Sequence, residues 1–174
     1  MVDIKQELIK CGAVKFGDFT LASGKKSKYY VDIKQAIGDP DRLNHIGNEI
    51  WLETLSQGIK FDAVACVELG GVPIGVMVYH ISGKPLIIIR KEIKDHGIKN
   101  RIIGDAKGMR VLLVEDVTTT GGTVIKAINT LHDAGAKVHD VVSVVDRGEG
   151  AGGLLGDGGV RLFSLVSAQE LLAG

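Results

Sequence analysis

Cysteine is nearly absent from this 174-residue chain, with Cys11 and Cys66 the whole supply. Two cysteines match no zinc-binding spacing and are too few for a secreted disulfide framework, so a reducing, cytoplasmic setting is expected. Cys66 lies in an apolar run and reads as inert core. Net charge is absent too: 21 basic side chains balance 21 acidic ones. Without a global basic excess there is no case for a nucleic-acid partner, and any electrostatic function must come from local clusters. No apolar run approaches the ~20 residues needed to span a bilayer, so no membrane partner is expected. Residues 1–10 mix Asp3, Lys5, Glu7 and Lys10 with apolar positions, which is a helix start and not a signal peptide. Internal repeats and domain linkers are missing as well. The length suits one domain over residues 1–174, large enough to bury a core without disulfides or metals.

What remains is an alternation of strand and helix patterns. Asp3 is a candidate N-cap for a helix over residues 3–11 that Gly12 stops. Phe16 to Ile33 reads as strands and turns. Asp39-Pro40 opens a helix that Gly58 ends, with Pro40 suited to its first position. Trp51 reads as packing within it. Four apolar runs predict buried strands: Ala63 to Val67, Leu86 to Ile89, Val111 to Val114 and Val138 to Val145. Arg161 to Val166 predicts a fifth, followed by a brief terminal helix. Helical patterns at Val72 to Ile81 and Val124 to Ala134 fall between strands. The expectation is an α/β fold with right-handed crossovers and a parallel sheet covered on both faces. Lys91 to Lys107 and the seven-glycine stretch Gly148 to Gly159 break the pattern, and both read as long loops.

Three segments carry chemistry. The first is Val111 to Thr123, an apolar run followed by Glu115-Asp116 and then by Val117, Thr118, Thr119, Thr120, Gly121, Gly122 and Thr123. Adjacent carboxylates at a strand end suit the two hydroxyls of a ribose; they could also hold Mg²⁺, directly or through water. The threonines offer hydroxyl donors, the glycines allow close backbone approach, and the loop feeds a helix N-terminus that favours an anion. This is neither a Walker loop nor a dinucleotide fingerprint, since Gly-Lys-Ser/Thr and Gly-x-Gly-x-x-Gly are both absent. The second segment is Arg90-Lys91-Glu92-Ile93-Lys94-Asp95-His96-Gly97, continued by Lys99 and Arg101. Its cations suit a pyrophosphate, and a loop there could close over a reacting phosphate ester. The third is Asp146-Arg147 at a strand end, where an arginine fork suits a planar carboxylate, or else makes a local Asp-Arg pair.

Together these residues resemble the type I phosphoribosyltransferases. Val111 to Thr123 looks like their phosphoribosyl-pyrophosphate motif. Phe19 to Tyr30, Arg90 to Gly97 with its Lys-x-His spacing, and Asp146-Arg147 resemble orotate phosphoribosyltransferases in particular. The resemblance implies a central parallel sheet flanked by helices, with a small N-terminal hood. It implies transfer of ribose 5-phosphate from phosphoribosyl pyrophosphate to orotate, giving orotidine 5′-phosphate and diphosphate in pyrimidine biosynthesis. On that basis Glu115 and Asp116 hold the ribose and Thr118 to Thr123 the 5′-phosphate. Arg90, Lys91, Lys94 and His96 bind the pyrophosphate, with Lys94, His96 and Asp116 nearest the chemistry. Thr119 and Arg147 contact orotate. Mg²⁺ arrives on the diphosphate, with no direct protein ligand put forward. The resemblance also implies a homodimer in which loop 91–107 serves the neighbouring subunit. The chain departs from the pattern at Ala22, where relatives often carry lysine. It departs again at Leu69-Gly70, where bacterial members often carry an aromatic-lysine pair; Lys25, Lys26 or Lys28 could compensate. A purine phosphoribosyltransferase and a non-catalytic sensor of phosphoribosyl pyrophosphate are the rival expectations.

Overall fold

The computed structural model describes residues 3–20, 26–91 and 101–173. Among these, a two-stranded antiparallel hairpin, β1 (Val14–Thr20) with β2 (Lys26–Val31), stands apart from a six-stranded sheet. The large sheet contains β3 (Ala63–Val67), β4 (Leu86–Ile89), β5 (Ile102–Ile103), β6 (Arg110–Thr118), β7 (Lys137–Asp146) and β8 (Arg161–Ser167) in the spatial order β5-β4-β3-β6-β7-β8. All its neighbours are parallel except β5, which pairs antiparallel with β4. The five strands expected from apolar runs are present. The two-residue β5 was hidden inside the polar 91–107 segment because its only signal is Ile102-Ile103.

The helices follow from local chemistry. The Asp3 side chain accepts the Lys5 N–H at the start of α1 (Ile4–Lys10). Asp39 caps α3 (Pro40–Ser56) by accepting the Arg42 N–H, with Pro40 where its missing N–H costs nothing. Trp51 packs edge-on to Phe61 at 6.2 Å. A four-residue helix, α2 (Lys34–Ile37), precedes α3 and is too short to show a period in sequence. The 151–157 region, expected as loop, is helix α6 (Ala151–Asp157). Its glycines lower helix propensity and obscure it, but Ala151 and Leu155 are one turn apart and both fully buried.

Alternation along the strands feeds two apolar layers. Val64, Leu112, Val114, Val142 and Val144 face Ile46 and Ile50 of α3 and Ile74 and Val78 of α4 (Gly71–Ser82). Ala63, Ala65, Val67, Leu113 and Val141 face Val124, Ile128 and Leu131 of α5 (Gly122–Asp133), with Leu155 of α6. Each fully buried Leu, Ile or Val contributes ~1.5–3 kcal/mol, so the two layers are what hold the sheet edges and loops in place. Helix α7 (Ala168–Leu172) closes the chain with a capping box between Ser167 and Glu170. Among the described residues no helix is long and apolar enough to cross a membrane.

Candidate active site

The strand order places a topological switch point between β3 and β6. From β3 the chain crosses to β4 through α4 on one face of the sheet, and from β6 to β7 through α5 on the other. The two connections leave in opposite directions, which opens a crevice at the carboxyl ends of the strands. A cleft of about 270 Å³ lies there, walled by Glu68, Leu69 and Gly70 after β3, by Glu115 to Val124, and by Lys34 and Lys91. Every residue of the Glu115–Thr123 segment therefore reaches one cavity.

Strand β6 is longer than its apolar run suggested and continues to Thr118, so both carboxylates sit inside the strand. Glu115 is 5% exposed, and its Oε1 finds no hydrogen-bond partner. Burial, and then the charge of Asp116, push its carboxyl up to about 8. Asp116 is more open, and its Oδ1 accepts the Val117 N–H at 2.9 Å. Gly70 packs closely against it: a Cβ there would stand 1.9 Å from Asp116 Oδ2, so the carboxylate would have to shift. The Glu68–Leu69 peptide in the same turn is cis. The thiol of Cys66, behind the site, is pushed up to about 12 by burial and by Glu115, which leaves it inert as expected.

The threonines divide their work. The Thr118 hydroxyl is engaged within the sheet, donating to Asp146 Oδ1 at 2.9 Å and lying 3.3 Å from the Ser143 hydroxyl. It ties β6 to β7 at the register Thr118–Asp146 and leaves only the rest of the loop to offer hydroxyls to a ligand. The N-terminus of α5 has no side-chain cap, so its first N–H groups face the cavity mouth unclaimed by any cap. Gly121, at φ +85°, is the N-cap, and a Cβ there would lie 3.2 Å from Ala151 Cα. Ala151 donates its N–H to the Thr119 carbonyl at 3.1 Å, so α6 braces the loop from behind.

Arg147 is placed differently from the carboxylates. It is not part of the cleft wall among the described residues. Its guanidinium stacks 5.0 Å over the Tyr29 ring, beneath the hairpin, and donates to the Ser27 hydroxyl at 3.3 Å. Its ion-pair partner is Glu149, at 3.0 Å from Nε, and not the neighbouring Asp146. Arg90 follows β4 and lines an adjoining pocket with Lys91, Arg101, Thr123 and Lys126. Lys91 donates its backbone N–H to Glu68 Oε1 at 2.7 Å. Lys94, His96, Ala22 and Lys25 lie outside the described residues. Lys26 and Lys28 are engaged by Thr20 and Asp18 and do not line the cleft. Lys34 and Glu68 do line it, though neither belongs to a motif visible in the sequence. Among the described residues no group of three or more His, Cys, Asp or Glu side chains is placed to hold a metal ion.

Residues 36–154 match the model of the phosphoribosyl transferase domain. An orotate phosphoribosyltransferase of Methanospirillum hungatei is 52% identical over 171 residues, covering 98% of this chain and 97% of that one. The chain belongs to the orotate phosphoribosyltransferases. Its fold agrees with that of the Aeropyrum pernix member of the family at a TM-score of 0.87, with 39% identity over 98% of this chain and 96% of the other. The Mycobacterium tuberculosis member, solved in complex with 5-phospho-α-D-ribosyl 1-diphosphate, superposes at 0.79 with 29% identity, covering 97% and 98% of the two chains. The family's type I architecture is thus present, with the β1–β2 hairpin in the place of the hood.

Proposed function

We propose that this chain transfers ribose 5-phosphate from phosphoribosyl pyrophosphate to orotate, releasing diphosphate and forming orotidine 5′-phosphate. The observation that carries this reading is the single cavity at the switch point, in which two carboxylates and an uncapped, threonine-lined helix N-terminus converge. The backbone and hydroxyls of Thr119 to Thr123 receive the 5′-phosphate. Asp116, with Glu115 behind it, accepts hydrogen bonds from the ribose hydroxyls and favours the positive charge that builds at the anomeric carbon. Arg90, Lys91, Lys94 and His96 stabilise the departing diphosphate. Mg²⁺ bound to the diphosphate would neutralise part of its charge. Orotate lies between Thr119 and Arg147, whose fork suits its carboxylate. Because orotate reacts as an anion, no dedicated general base is assigned.

The working unit in this reading is a homodimer in the cytoplasm, with the 91–107 loop reaching the partner's site. Helix α4 supports it. Val76 and Tyr79 are 40% and 44% exposed on one side of that helix, and Leu69, just before it, is 72% exposed. Such a stripe beside an active site is the kind of surface that a second subunit covers.

The test is incubation with Mg²⁺, phosphoribosyl pyrophosphate and a panel of bases. Orotate should be consumed with release of diphosphate. Consumption of a purine alone would make this a purine phosphoribosyltransferase. Tight binding of the sugar phosphate without turnover of any base would make it a sensor.

A further inference from the structure

Lys34 is a cleft-wall cation that the catalytic reading does not use. It opens α2, shortly after the hairpin, and lines the same cavity as Glu68, Leu69, Gly70 and Asp116, the last close enough to act on its charge. That wall is poor in positive charge. Gly70 brings no side chain to it, and the Asp116 carboxylate occupies the space beside its Cα. Glu68 and Asp116 add negative charge to it. A diphosphate approaching this turn therefore meets two carboxylates, and it needs a cation supplied from another element. Among the described residues that line the cleft, Lys34 and Lys91 are the cations.

The ammonium of Lys34 is oriented before any ligand arrives. Its Nζ lies 3.1 Å from Asp32 Oδ1, and the same carboxylate oxygen accepts the Lys34 backbone N–H at 3.2 Å. The hydrogen bond to Asp32 holds the Lys34 ammonium charged, with Asp116 adding to the effect, so the lysine lies within the field of the ribose-side carboxylate. The side chain is 58% exposed, and an ion pair this open is weak. Lys34 can leave Asp32 for a denser anion at little cost.

We infer that Lys34 is a further substrate-binding residue, holding the diphosphate end of the phosphoribosyl donor at the Glu68–Gly70 turn. This rests on the proposed transferase reading. The position selects the diphosphate over the other anions of the reaction. The 5′-phosphate has the threonine loop and the α5 N-terminus, and the orotate carboxylate has Arg147 under the hairpin.

The experiment compares wild type with Lys34→Ala, Lys34→Gln and Lys34→Arg. Binding of inorganic diphosphate with Mg²⁺, of ribose 5-phosphate and of phosphoribosyl pyrophosphate is measured by calorimetry. KM for each substrate is then taken from orotate turnover. Losing one charge-assisted contact to phosphate should weaken phosphoribosyl pyrophosphate and diphosphate by about 10- to 100-fold. Ribose 5-phosphate binding and the orotate KM should stay within about twofold, and Lys34→Arg should recover most of the loss. Equal weakening of ribose 5-phosphate would reduce Lys34 to a structural part and overturn the inference. So would a rise in orotate KM alone, or unchanged diphosphate binding. A wild type that binds diphosphate but turns over no orotate would defeat the transferase reading, and the diphosphate comparison would still judge Lys34.

Discussion

Glu115 and Asp116 are adjacent in sequence, yet their environments differ. Glu115 is enclosed with an unpartnered Oε1, while Asp116 faces the cavity. The folded-state pKa of Glu115, about 8, lies above the ordinary 4.5. Between those values the native state holds a proton that the unfolded chain releases. Stability from this group is therefore complete below about pH 4.5 and is lost as pH rises towards 8. A Glu115→Gln variant, neutral at every pH, should melt progressively higher relative to wild type as pH goes from 5 to 8 without ligand. A melting difference that does not change over that range would show that Glu115 ionises freely. The acidic pair was legible in the sequence because strand, carboxylates and threonines are contiguous. Lys34 was not, because a four-residue helix with no period carries it to the cleft. Nor did the sequence reveal that Thr118 spends its hydroxyl on Asp146, since that bond depends on the β6–β7 register.

At the scale of elements, α6 is the clearest departure from the sequence pattern. Glycines at 150, 152, 153, 156, 158 and 159 argue for a loop, and two buried side chains override them. A Cβ added at Gly152 or Gly153 meets nothing within 4 Å, and neither residue has positive φ. Gly152→Ala and Gly153→Ala should therefore each stabilise the protein by ~0.4–1 kcal/mol, mainly by restricting the unfolded chain. Gly121→Ala should do the opposite, because its φ of +85° and the 3.2 Å approach to Ala151 leave no place for a methyl. Urea unfolding of the three variants decides this. Destabilisation at Gly152 or Gly153 would mean that α6 needs its glycines for something other than space. Apart from α2 and β5, the other elements were legible, because both apolar layers imprint their periods on the chain. The boundary of β6 was not, since a strand that carries its own active-site acids ceases to look apolar before it ends.

For the whole molecule, the order β4-β3-β6-β7 puts the fixed groups of the site on rigid strand ends, while Arg90 and Lys91 follow β4 at the same edge of the sheet. An α/β alternation implied such a crevice, but only the pairing of β3 with β6 located it. The sequence resemblance implies that the basic segment acts in a second subunit's cleft, and the exposed stripe of Leu69, Val76 and Tyr79 would give such a subunit an apolar surface to cover. Complementation separates the two arrangements. Lys94→Ala and Asp116→Ala homodimers should each be nearly inactive, the first for want of a loop lysine and the second for want of a ribose carboxylate. If the loop crosses between subunits, a hybrid dimer gathers both defects in one site and leaves the other site whole. Random exchange of equal amounts then restores about a quarter of wild-type activity, since half the dimers are hybrids with one good site each. If each loop serves its own subunit, every site in the hybrid carries one defect, and mixing restores nothing. The exchange itself can be verified by mass, using one tagged partner, so a silent mixture of exchanged subunits would count against loop sharing.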